Sequence, residues 1–319
     1  MRSLFLLAIA LASCVSAFGQ GTIGDRIDFA NALIQQGHYT EAIAALTPIE
    51  PFDPGTDLER GKTEALSGLA YSEMGQLQKS ERLYEKALVT LGRDNREGRD
   101  YASALSFLGR MRIDAGDSEG GVRLLRKAAQ IESRLQDHAE LTTVYLHLVA
   151  EAIGQEHWKS ARKYLAAAKT HALLAGPNME SLSAALDETT GWIDSVTGHN
   201  AEAASAFKAA LEIYKTLYGT GHQLTGWAYL LVGKSNAAAG DVPNALANMR
   251  TGIAILRSTI GARNVRYLES ELAYAKVLEQ AGMHSEAEEV HADASQSLAR
   301  LYHPECLTCT VSVWALQNP

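Results

Sequence analysis

The chain has 319 residues, 46% of them apolar, only seven prolines, and a formal net charge of −8. That is ample material for a buried interior. With acids and bases interspersed it offers no basic surface to phosphates, so nucleic acid is excluded as an expected partner.

The first residues stand apart. Arg2 precedes an apolar run from Leu4 to Ala12, and small residues follow. Such a run is too short to cross a bilayer of ~30 Å but fits a secretory signal. Val15-Ser16-Ala17 offers a cleavage site, making residues 1–17 a signal peptide and 18–22 a short linker. Leu11-Ala12-Ser13-Cys14 also resembles a bacterial lipobox, in which Cys14 becomes an acylated first residue. Both processing routes predict export to the periplasm or cell envelope, either secreted or anchored at the outer membrane. Contact with a membrane is expected only through a lipid on Cys14.

From residue 23 onward the chain repeats. Repeat one, about Ile23 to Glu50, carries Ala30, Gly37, Ala42 and Leu46. Pro51 to Gly55 is turn-rich, and Thr56 or Asp57 is placed to cap the next helix. Repeat two carries Gly68, Gly75, Ser80, Tyr84 and Ala87; repeat three carries Gly109, Gly116, Gly121, Leu125 and Ala128. Repeat four keeps Val149, Trp158, Ala161, Leu165 and Ala168, but Glu156 stands where a turn glycine is expected and Gly154 comes two residues early. A shifted turn is predicted there. Repeats five to seven place Gly198, Gly240 and Gly282 at intervals of 42 residues. The clearest repeat predicts a helix from about Gly226 to Ala239, a break at Gly240-Asp241, and a second helix from Val242 to about Ile260. A fixed period with helix-turn-helix content predicts an all-α solenoid of about seven repeats over residues 23–301. The apolar tail, residues 302–319, is expected to cap the last repeat.

The ladder of small and large residues, Gly191, Gly198, Ala203, Phe207, Ala210 and its counterparts Gly233, Gly240, Ala245, Met249, Gly252 and Ala275, Gly282, Ala287, His291, Ala294, resembles the tetratricopeptide repeat. The run Ala210 to Tyr214 followed by Leu217 to His222 resembles the 42-residue kinesin light chain type. The resemblance implies a right-handed superhelix whose concave face is lined by the first helix of each repeat and binds peptide segments; other proteins or peptides are the expected partners, and no cofactor is expected. The family's paired asparagines on the first helix are missing: Ala65-Leu66, Ala104-Leu105 and Leu230-Leu231 stand there. A known peptide specificity therefore does not carry over. Setting the repeats in register nominates Asn31, Lys62, Arg110, Glu188, Trp192, Trp227, Lys234, Lys276 and Glu279 as groove residues. The two tryptophans have a rival role, packing between adjacent repeats.

Chemistry beyond binding finds little support. Gly61-Lys62-Thr63 has five residues, not four, after Gly55, and acidic neighbours, so it reads as the start of a helix and not a phosphate loop. Cys306 and Cys309 are expected to form a disulfide in an oxidising compartment; a thiol-disulfide or metal-binding role for them is the alternative, with His303 the only nearby further ligand. His38, His157, His199 and His284 fall at the bends and read as exposed turn residues, with no metal site expected. The expected function is an exported, non-catalytic scaffold or assembly factor. Self-association as a structural envelope protein is a further alternative, and oligomeric state is open.

Overall fold

The computed structural model describes residues 22–47, 55–176 and 179–301. The proposed signal segment with Cys14, and the tail with Cys306 and Cys309, lie outside the described residues. Fourteen helices and no strand occur among those described: α1 (Ile23–Gln35), α2 (Tyr39–Leu46), α3 (Asp57–Glu73), α4 (Leu77–Asp94), α5 (Arg99–Asp114), α6 (Ser118–Leu135), α7 (His138–Gly154), α8 (Trp158–Ala175), α9 (Glu180–Val196), α10 (Asn200–Tyr218), α11 (Gln223–Ala238), α12 (Val242–Thr259), α13 (Val265–Gln280) and α14 (His284–Leu301). Odd-numbered helices are the first of each repeat and even-numbered helices the second. The chain divides into two compact units, Met1–Phe107 and Leu108–Pro319.

Local chemistry starts the helices. Thr22 and Thr56 each form a reciprocal capping box, with Asp25 and Glu59. Such a box satisfies two of the amide N–H groups that a helix start leaves without partners. Asp117, Asp137 and Asp241 cap α6, α7 and α12 with their carboxylates. Pro243 falls in the first turn of α12, where a missing N–H costs nothing. Gly61-Lys62-Thr63 lies inside α3.

The bends share one hydrogen-bond pattern. At Gly240 (φ +80°) the Asp241 N–H reaches back to the Asn236 carbonyl at 2.9 Å. At repeat four the turn is not shifted. Glu156 itself adopts the left-handed conformation (φ +56°), and the His157 N–H donates to the Ala152 carbonyl at 2.7 Å. The hydrogen bonds that close the helix hold the residue in that well although a side chain there is strained. His157, His199 and His284 are exposed at these bends, as expected of turn residues.

Within a repeat the two helices touch through glycine. A Cβ on Gly252 would stand 2.6 Å from the Gly226 carbonyl oxygen, and one on Gly191 would stand 2.7 Å from the Phe207 ring. Ala245 and Met249 are fully buried beside Gly233. At the seventh repeat the corresponding His291 is exposed, with no described helix following. In the second unit three apolar clusters run in sequence: one around Val149, Leu165 and Ile193, one around Phe207, Tyr214 and Leu231, and one around Met249, Leu256 and Leu278. Trp192 packs against the first two and Trp227 against the last two, so each cluster joins successive repeats. The first unit has its own core around Leu33, Tyr39 and Leu46.

Candidate functional site

In the second unit, the repeat period brings polar and aromatic side chains into rows on the first helices. Counting back six residues from Gly116, Gly198, Gly240 and Gly282 gives Arg110, Trp192, Lys234 and Lys276 on α5, α9, α11 and α13, and the same count from Glu156 gives Ala150. Counting back thirteen from Gly240 and Gly282 gives Trp227 and Glu269 on α11 and α13. Repeats five to seven bring Trp192, Lys234, Lys276 and Glu269 within reach of one another. The Lys234 ammonium sits 4.9 Å from the centre of the Trp192 ring, and the Arg266 guanidinium 5.6 Å from that of Trp227. Such pairs attract by ~0.5–1 kcal/mol at exposed sites and more when water is excluded.

Glu188 on α9 binds this surface together. Its Oε1 accepts from Trp227 Nε1 at 2.9 Å and its Oε2 from the Tyr214 hydroxyl at 3.3 Å; Trp192 also donates to it. Burial raises the Glu188 carboxyl above its ordinary value, while these donors and Arg266 work against the rise. Burial and Glu188 push the Tyr214 hydroxyl up, so Tyr214 stays a donor. Lys234 is lowered by burial and by Lys276, with Glu269 acting the other way. Burial also raises Glu269; Arg266 and Lys234 oppose the rise, and Asp114 on α5 adds to it. Glu188, Trp192, Trp227, Lys234 and Glu269 all retain partial solvent exposure. Side chains ordered by their neighbours and still open to solvent are available to a partner.

The nominated residues divide. Glu188, Trp192, Trp227, Lys234 and Lys276 come together. Arg110 is engaged with Asp114, its Nε donating to both carboxylate oxygens at 2.9 and 3.0 Å. Arg110 also helps burial depress His147 to about 3. Glu279 lies outside the row, pairing with His284 Nδ1 at 2.7 Å across the bend. Asn31 and Lys62 belong to the first unit, where Asn31 is exposed and Lys62 pairs with Asp100 at 3.5 Å. The nomination omitted Arg266, Glu269 and Tyr214. Glu269 follows Trp227 by one period and was open to the same register argument; Tyr214 lies on a second helix, which that argument did not consider.

Among the described residues no group of three or more His, Cys, Asp or Glu side chains is arranged to hold a metal. No described helix is long and apolar enough to cross a membrane.

No protein-family model matches the chain, and no curated protein matches it in sequence. Solved structures do match. A Rap protein complexed with competence and sporulation factor superposes with a TM-score of 0.59 at 14% identity, over 92% of this chain and 96% of that one. BtubC (BKLC) from P. vanneervenii gives 0.53 at 18% identity, over 73% and 93%. A signal-transduction ATPase with a tetratricopeptide repeat sensor from Pyrococcus horikoshii gives 0.50 at 15% identity, over 91% of this chain and 44% of that one. The fold is that of tetratricopeptide-repeat proteins, as the ladder led one to expect.

Proposed function

We propose that the protein is an exported, non-catalytic scaffold that holds segments of other polypeptides on the first-helix rows of its second unit. The observation that carries this is the Trp192–Lys234 and Trp227–Arg266 stacking, with both indole rings half-buried and held by Glu188. Aromatic rings and arginine dominate binding energy at protein interfaces because they desolvate large areas at low entropic cost. Here they are already ordered, which lowers the cost of binding. The mixed charges of Lys234, Arg266, Lys276 and Glu269 suit a polar peptide backbone and its side chains. The neighbouring Rap structure, complexed with competence and sporulation factor, is consistent with this use of the fold.

The test is cross-linked capture from the native host with the wild-type chain, Trp192→Ala and Lys234→Glu. Loss of the same captured proteins in both variants, with folding retained by circular dichroism, is the expected result. Unchanged capture in both would sink the proposal. Export rests on the N-terminal sequence alone. Intact mass of the protein from its host is expected to begin at Phe18, or at an acylated Cys14; a chain that keeps residues 1–13 would contradict export by either route.

A further inference from the structure

Repeat four carries four of the chain's ten histidines: His138, His147, His157 and His171. Two of them meet across the helix pair. His138 opens α7, and His171 lies in the last turns of α8, 33 residues later. Their Nδ1 atoms are 3.1 Å apart. The ring centroids are 5.2 Å apart with planes inclined by 21°, so the rings meet through their nitrogen edges and not face to face. The Tyr145 ring lies parallel to His171, 5.4 Å away with planes inclined by 7°, and Tyr145 in turn touches Tyr164 at 6.3 Å. His171 is thus held in place from α7 on two sides. A bond between two Nδ1 atoms requires that one carry the hydrogen and the other a free lone pair. It exists while at least one imidazole is neutral.

We propose that the His138–His171 pair is a proton-operated latch, tying the end of α8 to the start of α7 at neutral pH and releasing it when both rings are charged. The contact closes the end of the repeat opposite the Glu156 bend. Beyond Ala168 and Ala172, which pack on the apolar cluster, the end of α8 has Leu173 and Leu174 exposed and no basic side chain in its last turn to complement the helix dipole.

Burial and the partner ring favour release. By their place in the helices, the ionisable groups towards this end of the repeat include Glu132 and Arg134 on α6, Asp137, Glu140 and Tyr145 on α7, Tyr164 and Lys169 on α8, and Glu180 and Asp187 on α9. Asp137 is engaged as the α7 cap, and Lys169 acts on Asp187. Burial lowers His171 below the ordinary imidazole value, and the one charge acting on it, His138, lowers it further. A group depressed in the folded state contributes stability that is present above its unfolded value, about 6.5, and is lost as pH falls below it. The latch therefore opens on acidification.

The experiment uses the full chain and follows amide hydrogen exchange of residues 138–142 and 167–175, corrected for intrinsic rates, between pH 7.5 and 5.5. The wild type is expected to lose about tenfold in protection at these amides relative to α12. His171→Gln, which cannot gain a charge, is expected to lose none. Constant protection in the wild type, or an equal loss in His171→Gln, would overturn the latch. Imidazole nitrogen NMR of the wild type tests the same point without a variant. Two rings titrating independently near 6.5 would overturn it; a second proton taken up only at lower pH supports it.

Discussion

The Trp227 indole N–H donates to the Glu188 carboxylate at 2.9 Å, joining α11 to α9 across 39 residues of sequence. Tyr214 reaches the same carboxylate from α10, so three helices depend on one side chain. Replacing Glu188 by Ala removes the acceptor of the Trp227, Tyr214 and Trp192 donors. An unsatisfied buried donor costs ~1–3 kcal/mol, so Glu188→Ala is expected to lower stability by about 2–3 kcal/mol in urea denaturation, and Glu188→Gln by less. A loss below about 0.5 kcal/mol would show that the carboxylate does not tie the helices.

The helix contacts through small residues predict a different response. Ala245 is fully buried, and a side chain on Gly252 would meet the Gly226 backbone. Ala245→Leu and Gly252→Val should each destabilise by about 1–3 kcal/mol through overpacking. Ala201, exposed at the start of α10, should tolerate Leu within about 0.5 kcal/mol. Chemical denaturation of the three variants side by side checks the contrast.

Glu156 is a residue in a glycine's place. Relieving its left-handed strain by Glu156→Gly should stabilise the chain by about 0.5–1 kcal/mol, because the native conformation costs glycine little, while Glu156→Val should destabilise it. Thermal unfolding of both variants gives the signs.

This position also marks how far the sequence could be followed. The 42-residue period located the bends at Gly198, Gly240 and Gly282, and through them the register of Trp192, Lys234 and Lys276 on one face. Treating glycine as necessary for the bend misplaced the turn at Glu156, because the hydrogen bonds that close a helix depend on the backbone and not on the residue type. Arg266 and Tyr214 were not legible for another reason. They join the site through the lateral offset between stacked helices, which a one-dimensional register does not contain. Glu279 pairs with His284 across the bend, a local contact that the register does not contain.

Acid should weaken the second unit as a whole. His147 is depressed to about 3 by burial and by Arg110, against about 6.5 when unfolded. Its contribution is therefore complete above about pH 6.5 and falls away progressively between 6.5 and 3, because the unfolded chain binds the proton first. Between pH 7.5 and 5 this single group should remove about 1–2 kcal/mol, and His147→Gln should flatten that part of the profile. Urea midpoints across this range decide it; a wild-type midpoint independent of pH would refute the assignment.

The most direct measurement for the proposed scaffold is site-specific photo-cross-linking in the native host. A photoreactive amino acid replaces Lys276, on the first-helix row, or Lys208, exposed on the second helix α10. The account predicts discrete protein adducts from position 276 and none from position 208. Adducts from 208 alone would place the binding surface on the second helices and contradict it.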